Sequence, residues 1–169
     1  MRTRTILLIV LAAAVLIAVI IVASVGTLTF ATASNTDSPT VATGETVPFD
    51  TFGPASNITF TAPDTLVLGP QAGGTYTATV TMNVTNTTGA AVTNQFFLQV
   101  NGVSMAGLFA AIGVDPGATD TITVVFRDVV LPPGASIRLL NIGSTLELTD
   151  TVGGQSVPGV TLKLERTGP

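Results

Sequence analysis

Period-two alternation of apolar and polar residues dominates the chain from residue 46 onward. In Gly74 to Asn86, Tyr76, Ala78, Val80, Met82 and Val84 alternate with Thr75, Thr77, Thr79, Thr81, Asn83 and Thr85. That spacing predicts a strand with one face in a core and a threonine face in water. Phe96 to Val100 predicts a second strand, and Asn101-Gly102 after it supplies the two positive φ angles of a type I′ hairpin turn, so that Val103 to Met105 returns antiparallel. Thr121 to Phe126 alternates again, Pro132-Pro133-Gly134 predicts a turn before Ile137 to Leu140, and Val160, Leu162 and Leu164 close the pattern. With weaker runs near Phe49, Ile58, Val67, Ile112 and Leu146, about eight to ten short strands are expected, the number of a sandwich or jelly roll. No window beyond the N-terminal region shows the i, i+3, i+4, i+7 spacing of an amphipathic helix.

The N-terminal region obeys a different rule. Ile6 to Val25 are 20 consecutive uncharged residues, 14 of them Ile, Leu or Val. As a helix the run spans about 30 Å, the thickness of a bilayer's hydrocarbon core. Its branched aliphatics favour insertion by roughly 5 kcal/mol, and Arg2 and Arg4 ahead of it hold the N-terminus in the cytoplasm. The expectation is a single membrane span running through Ile6, Leu11, Leu16, Ile21 and Val25, with the rest of the chain extracellular. Ala31-Thr32-Ala33 also has the form of a signal-peptidase site, which leaves secretion after cleavage near Ala33 as the alternative. The division expected is an anchor or signal segment over 1–33, a flexible polar spacer over 34–45, and an all-β domain over 46–169.

Charge and composition narrow the function classes. Beyond Arg2 and Arg4, four basic residues face ten acidic ones, a net charge of −6 that argues against nucleic acid as a partner. The chain has no histidine, cysteine or tryptophan, so Ser-His-Asp and Cys-His chemistry and nitrogen or thiolate metal ligation have no residues to use, and no cofactor is expected. Carboxylate catalysis would need two acids held about 5 to 9 Å apart, whereas Asp64, Asp115, Asp120 and Asp150 sit in turn-like stretches where Asp bonds its own backbone. Asp115 and Asp120 in VDPGATD are too few for a calcium loop. Asn57, Asn83 and Asn86 begin Asn-X-Ser/Thr sequons.

The order VPFDTFG, GTYTATVTMNVTN, QVNGV and VTLKLER, between Val41 and Arg166, resembles the C-terminal domain of the collagen-like glycoprotein of the Bacillus exosporium, one of the tumour-necrosis-factor-like jelly rolls. The resemblance implies a ten-stranded jelly roll that assembles as a homotrimer and forms the outward tip of a surface fibre. Two features depart from it: no Gly-X-X stalk precedes the domain, and an apolar helix takes the place of the short exosporium-targeting leader. These departures favour a cell membrane over a spore surface.

Phe96-Phe97 and Gly107 to Val114 are apolar runs that an isolated sandwich has difficulty burying. Phe96, Phe97, Leu108, Phe109 and Ile112 are therefore the candidate trimer interface, with ordinary core as the alternative. The expected function is a structural or adhesive surface module, a membrane-tethered head that associates with itself, with the lipid bilayer and a surface-fibre or spore-coat protein as further partners. The alternative is a receptor- or carbohydrate-binding extracellular domain, and an enzyme is not expected.

Overall fold

A computed structural model describes residues 29–169, and every regular element among them is a strand. The strands are β1 (Phe30–Asn35), β2 (Thr40–Val41), β3 (Thr51–Phe52), β4 (Ile58–Thr61), β5 (Thr65–Leu68), β6 (Gly74–Thr85), β7 (Val92–Val100), β8 (Val103–Val114), β9 (Thr119–Leu131), β10 (Ser136–Asn141), β11 (Leu146–Glu147), β12 (Thr151–Val152), β13 (Gln155–Ser156) and β14 (Val160–Gly168). Ten of them form two five-stranded sheets, in the orders β3-β1-β14-β6-β9 and β4-β5-β10-β7-β8, and all pairs are antiparallel. The remaining four make two small ribbons, β11-β2 and β12-β13. Successive long strands alternate between the sheets except at the β7–β8 hairpin, which is the jelly-roll winding.

Alternation along each strand sets the register. In β6 the inward Tyr76, Ala78, Val80 and Met82 are fully buried, and in β14 Leu162 and Leu164 lie opposite Val80 and Ala78. A one-residue slip would move this whole set to water, so burial fixes the pairing. The second sheet answers with Leu66, Leu98, Ile137 and Leu139. The Tyr76 hydroxyl finds a buried acceptor in the Ala72 carbonyl. Asn101 and Gly102 take φ of 53° and 76°, the left-handed pair expected of the hairpin turn.

The domain boundary differs from the sequence expectation. β1 is an interior strand, paired to β14 from Phe30 to Asn35 and to β3 at Ala33 and Ser34, and its Ala31 and Ala33 have no exposed surface. The stretch read as a free spacer over 34–45 is tied down: Asn35 donates to the Pro48 carbonyl at 3.2 Å, Ser38 to Asp150 at 2.9 Å, and β2 pairs with β11. Phe-Ala-Thr-Ala-Ser-Asn gives little strand signal because its buried residues are Ala31, Ala33 and Asn35, which carry little hydropathy. The sandwich thus begins by residue 30, and a chain cut after Ala33 would lose four residues of β1. Among the described residues no helix is long and apolar enough to cross a membrane. The span expected through Ile6, Leu11, Leu16, Ile21 and Val25 lies outside them.

Candidate interaction surface

β8 resolves the ambiguous apolar run. Gly107 takes φ of 86° and the register with β7 shifts between Phe97 and Gln99, a bulge that sets the parity of the remaining residues of the strand. Leu108, Ala110 and Val114 are then buried, with Ile112 packed against them, while Phe109 faces outward. Phe96 likewise points into the core and Phe97 away from it. Phe97 and Phe109 pair across the strands on the outer face, ring centroids 5.3 Å apart and tilted by 50°. The five candidate interface residues therefore divide: Phe96, Leu108 and Ile112 belong to the inward side of the sheet, and Phe97 and Phe109 to its outer side.

β9 adds residues that the sequence pattern did not single out. Ile122 and Phe126 face inward in even parity, but Asp128 sits at φ of 55° and the register with β6 shifts between Tyr76 and Ala78. After this bulge Val129 and Leu131 are the buried residues, and Val130 is turned out. A uniform alternation gives no warning of such a switch. Among the described residues the exposed large hydrophobics are Val103 (64%), Phe109 (43%), Val125 (43%) and Val130 (67%). All four lie on β8 and β9. These are the end strands of the two sheets, in contact with each other on one side of the sandwich, with 12 and 13 residues of backbone edge.

The polar candidates are engaged elsewhere. Asp115 accepts from Ala118 through its backbone at 3.1 Å, closing a turn in which Gly117 takes φ of 72°. Among the described residues no three His, Cys, Asp or Glu side chains gather to hold a metal ion. Asp64, in the β4–β5 turn, accepts from Thr46 at 2.5 Å and Thr65 at 2.6 Å, with the Arg138 guanidinium 3.5 Å away. Asn86 is buried and gives both amide hydrogens to backbone, the Ala90 and Val114 carbonyls, each at 2.9 Å. Asn83 donates to Pro158 at 2.8 Å. Asn57, by contrast, is exposed in a left-handed conformation, φ 57°. A shallow cleft of about 220 Å³ lies between Asn86, Val92, Thr145 and Glu147, and the Glu147 carboxylate is bound there by Thr87 through N–H and hydroxyl, at 3.0 and 2.8 Å.

No protein-family model matches the chain, and no curated protein matches it in sequence, so the likeness to the exosporium glycoprotein has no support at sequence level. Solved structures do match. One is the structure of Eiger TNF from S. frugiperda, with a TM-score of 0.58, 13% identity, and coverage of 84% of this chain and 94% of that one. Another is the PRD1 vertex protein P5, with a TM-score of 0.43, 16% identity, and coverage of 86% and 99%. The described residues therefore have the fold of a tumour-necrosis-factor-like jelly roll.

Proposed function

We propose that the chain is a structural or adhesive surface module: a self-trimerising jelly-roll head held to a membrane by its N-terminal apolar segment, similar in role to the tip domain of a spore-surface fibre. The observation that carries the self-association is that the exposed large hydrophobics among the described residues all lie on β8 and β9, with Phe109 and Val125 midway along them. Two long adjacent strand edges with unpaired backbone groups are a template for pairing or packing unless something covers them. Neighbouring copies are the covering partner that a β-domain with no cysteine and few charges has at hand. Three copies is the number the jelly-roll resemblance implies. Catalysis has no place in this reading, because Asp50, Asp64, Glu147 and Asp150 accept hydrogen bonds from Ser or Thr that hold loops together.

The test is the mass of the head in solution. Expressed from residue 27, so that β1 is intact, the fragment is expected to scatter light as three chains at micromolar concentration. A folded monomer at that concentration overturns the assembly reading.

A further inference from the structure

The ends of the sandwich differ in charge, and the chain enters at only one of them. Phe30 opens β1 beside the last residues of β14, with Gly168 opposite Thr75, and Gly74 opposite Leu131. In the other sheet the same end holds the Asn101-Gly102 hairpin and the 69–73 and 132–135 loops, joined by the Gly134 N–H bond to Gly69 and by the Phe30–Ser56 bridge. This entry end carries Arg127, Arg166 and Asp128, with Lys163 and Glu165 ion-paired at 2.8 Å nearer mid-strand. Asp37 after β1, Asp115 and Asp120 around the β8–β9 turn, Glu147 in β11 and Asp150 after β11 lie at the far end, whereas Asp64 sits level with Arg138, which pairs with Gln99 toward the entry end. Among the described residues no Lys or Arg lies with these far-end carboxylates, and Arg138 is in contact with Asp64 instead. The two most exposed large hydrophobics, Val103 and Val130, belong to the entry end.

We propose that the entry end is a lipid-facing surface, seated directly on the bilayer with the acidic end directed away from it. The proposal rests on the reading of Ile6 to Val25 as a retained span. Val25 and Phe30 are five residues apart in sequence, so a fully extended connection reaches at most about 17 Å. Because 34–45 belongs to the sandwich, no further spacer lifts the head. The 12 residues of β6 extend about 40 Å. With a Debye length of about 8 to 10 Å, the far carboxylates stand several such lengths from the bilayer surface, whereas the inverted orientation would press these charges against its apolar boundary. Apolar side chains at the rim and a near-balanced charge suit the interfacial zone.

Because the chain has no cysteine, single labels report each end. Gln71→Cys, in the entry-end 69–73 loop, and Ala91→Cys, in the far loop before β7, are both exposed positions. The full chain, carrying a fluorophore at one or the other, is reconstituted in vesicles of phosphatidylcholine with phosphatidylserine and a headgroup-nitroxide lipid. Quenching at position 71 is expected to exceed that at position 91 by at least threefold. Equal quenching at both sites in a chain that resists alkaline carbonate extraction overturns the seated orientation and leaves the anchor intact. Extraction by carbonate overturns the anchor, and this proposal with it.

Discussion

Asp64 joins three segments through one carboxylate: Thr46 before β3, Thr65 in β5, and Arg138 of β10, whose Nε also donates to Thr65 at 2.7 Å. Burial on its own would raise this carboxyl's pKa, but the bonds from Thr46 and Thr65 and the charge of Arg138 outweigh it and hold the pKa below the ordinary aspartate value. A depressed folded-state pKa contributes stability that is present above the unfolded value of about 3.9 and is lost as pH falls through the folded value. Asp50 is shifted the same way, its desolvation outweighed by bonds from Thr36. The melting temperature is therefore expected to hold from pH 7 to 5 and to fall below about pH 4. Asp64→Asn is expected to cost about 1 to 3 kcal/mol at pH 7 and to flatten that acid limb, as measured by circular dichroism. Asn94 is the opposite case. It is buried in β7, and neither its amide nitrogen nor its oxygen has a hydrogen-bond partner among the described residues. An unpartnered buried amide costs about 1 to 3 kcal/mol, so Asn94→Leu is expected to raise the midpoint of denaturant unfolding rather than lower it.

At the scale of elements, β8 offers a paired test on adjacent residues. Leu108 faces the core and Phe109 faces out. Leu108→Asp buries an unpaired charge and is expected to cost several kcal/mol, with loss of the β signal in circular dichroism. Phe109→Glu leaves the core untouched; it is expected to keep the β signal and the monomer fold while shifting light scattering toward one chain. A Phe109→Glu protein that still scatters as three chains would show that the outer face of β8 is free of the interface. β1 and β2 make a related point about weak signals. Most of β1 reads as the end of an anchor or signal segment and β2 as spacer because alanine, serine and threonine give little strand pattern, yet β1 contributes two fully buried residues and pairs along its whole length. Ala31 and Ala33 are fully buried, so weak hydropathy there does not mark a solvated linker.

The described residues form a sandwich with one bare side and two unlike ends. The bare side, bounded by β8 and β9, is where copies are expected to meet. If they do, folding and assembly are linked, and the fragment from residue 27 is expected to melt at a temperature that rises with protein concentration over a hundredfold range, measured calorimetrically. A concentration-independent midpoint would separate the fold from any assembly. The ends matter for orientation: strands that run the height of the sandwich carry the charge difference along one axis, and the N-terminal segment joins at one pole of it. Trimerisation about an axis roughly along the strands would keep all three entry ends on the same side, so the two proposals are compatible in space.

The sequence by itself determined the all-β class, the long threonine-faced β6, the Asn-Gly hairpin, the Pro-Pro-Gly turn and the closing β14, because alternation and turn chemistry are local properties. It also determined that nitrogen and thiolate chemistry have no residues to use, since that is a matter of composition. Tertiary structure decided the rest. Whether a continuous apolar run is core or surface depends on bulges at Gly107 and Asp128, which reset strand parity through pairing with distant strands. Whether Phe30 to Asn35 is leader, spacer or strand depends on β14, more than a hundred residues away. The segregation of charge between the ends arises from which loops the winding brings together, and no stretch of sequence read in order contains it.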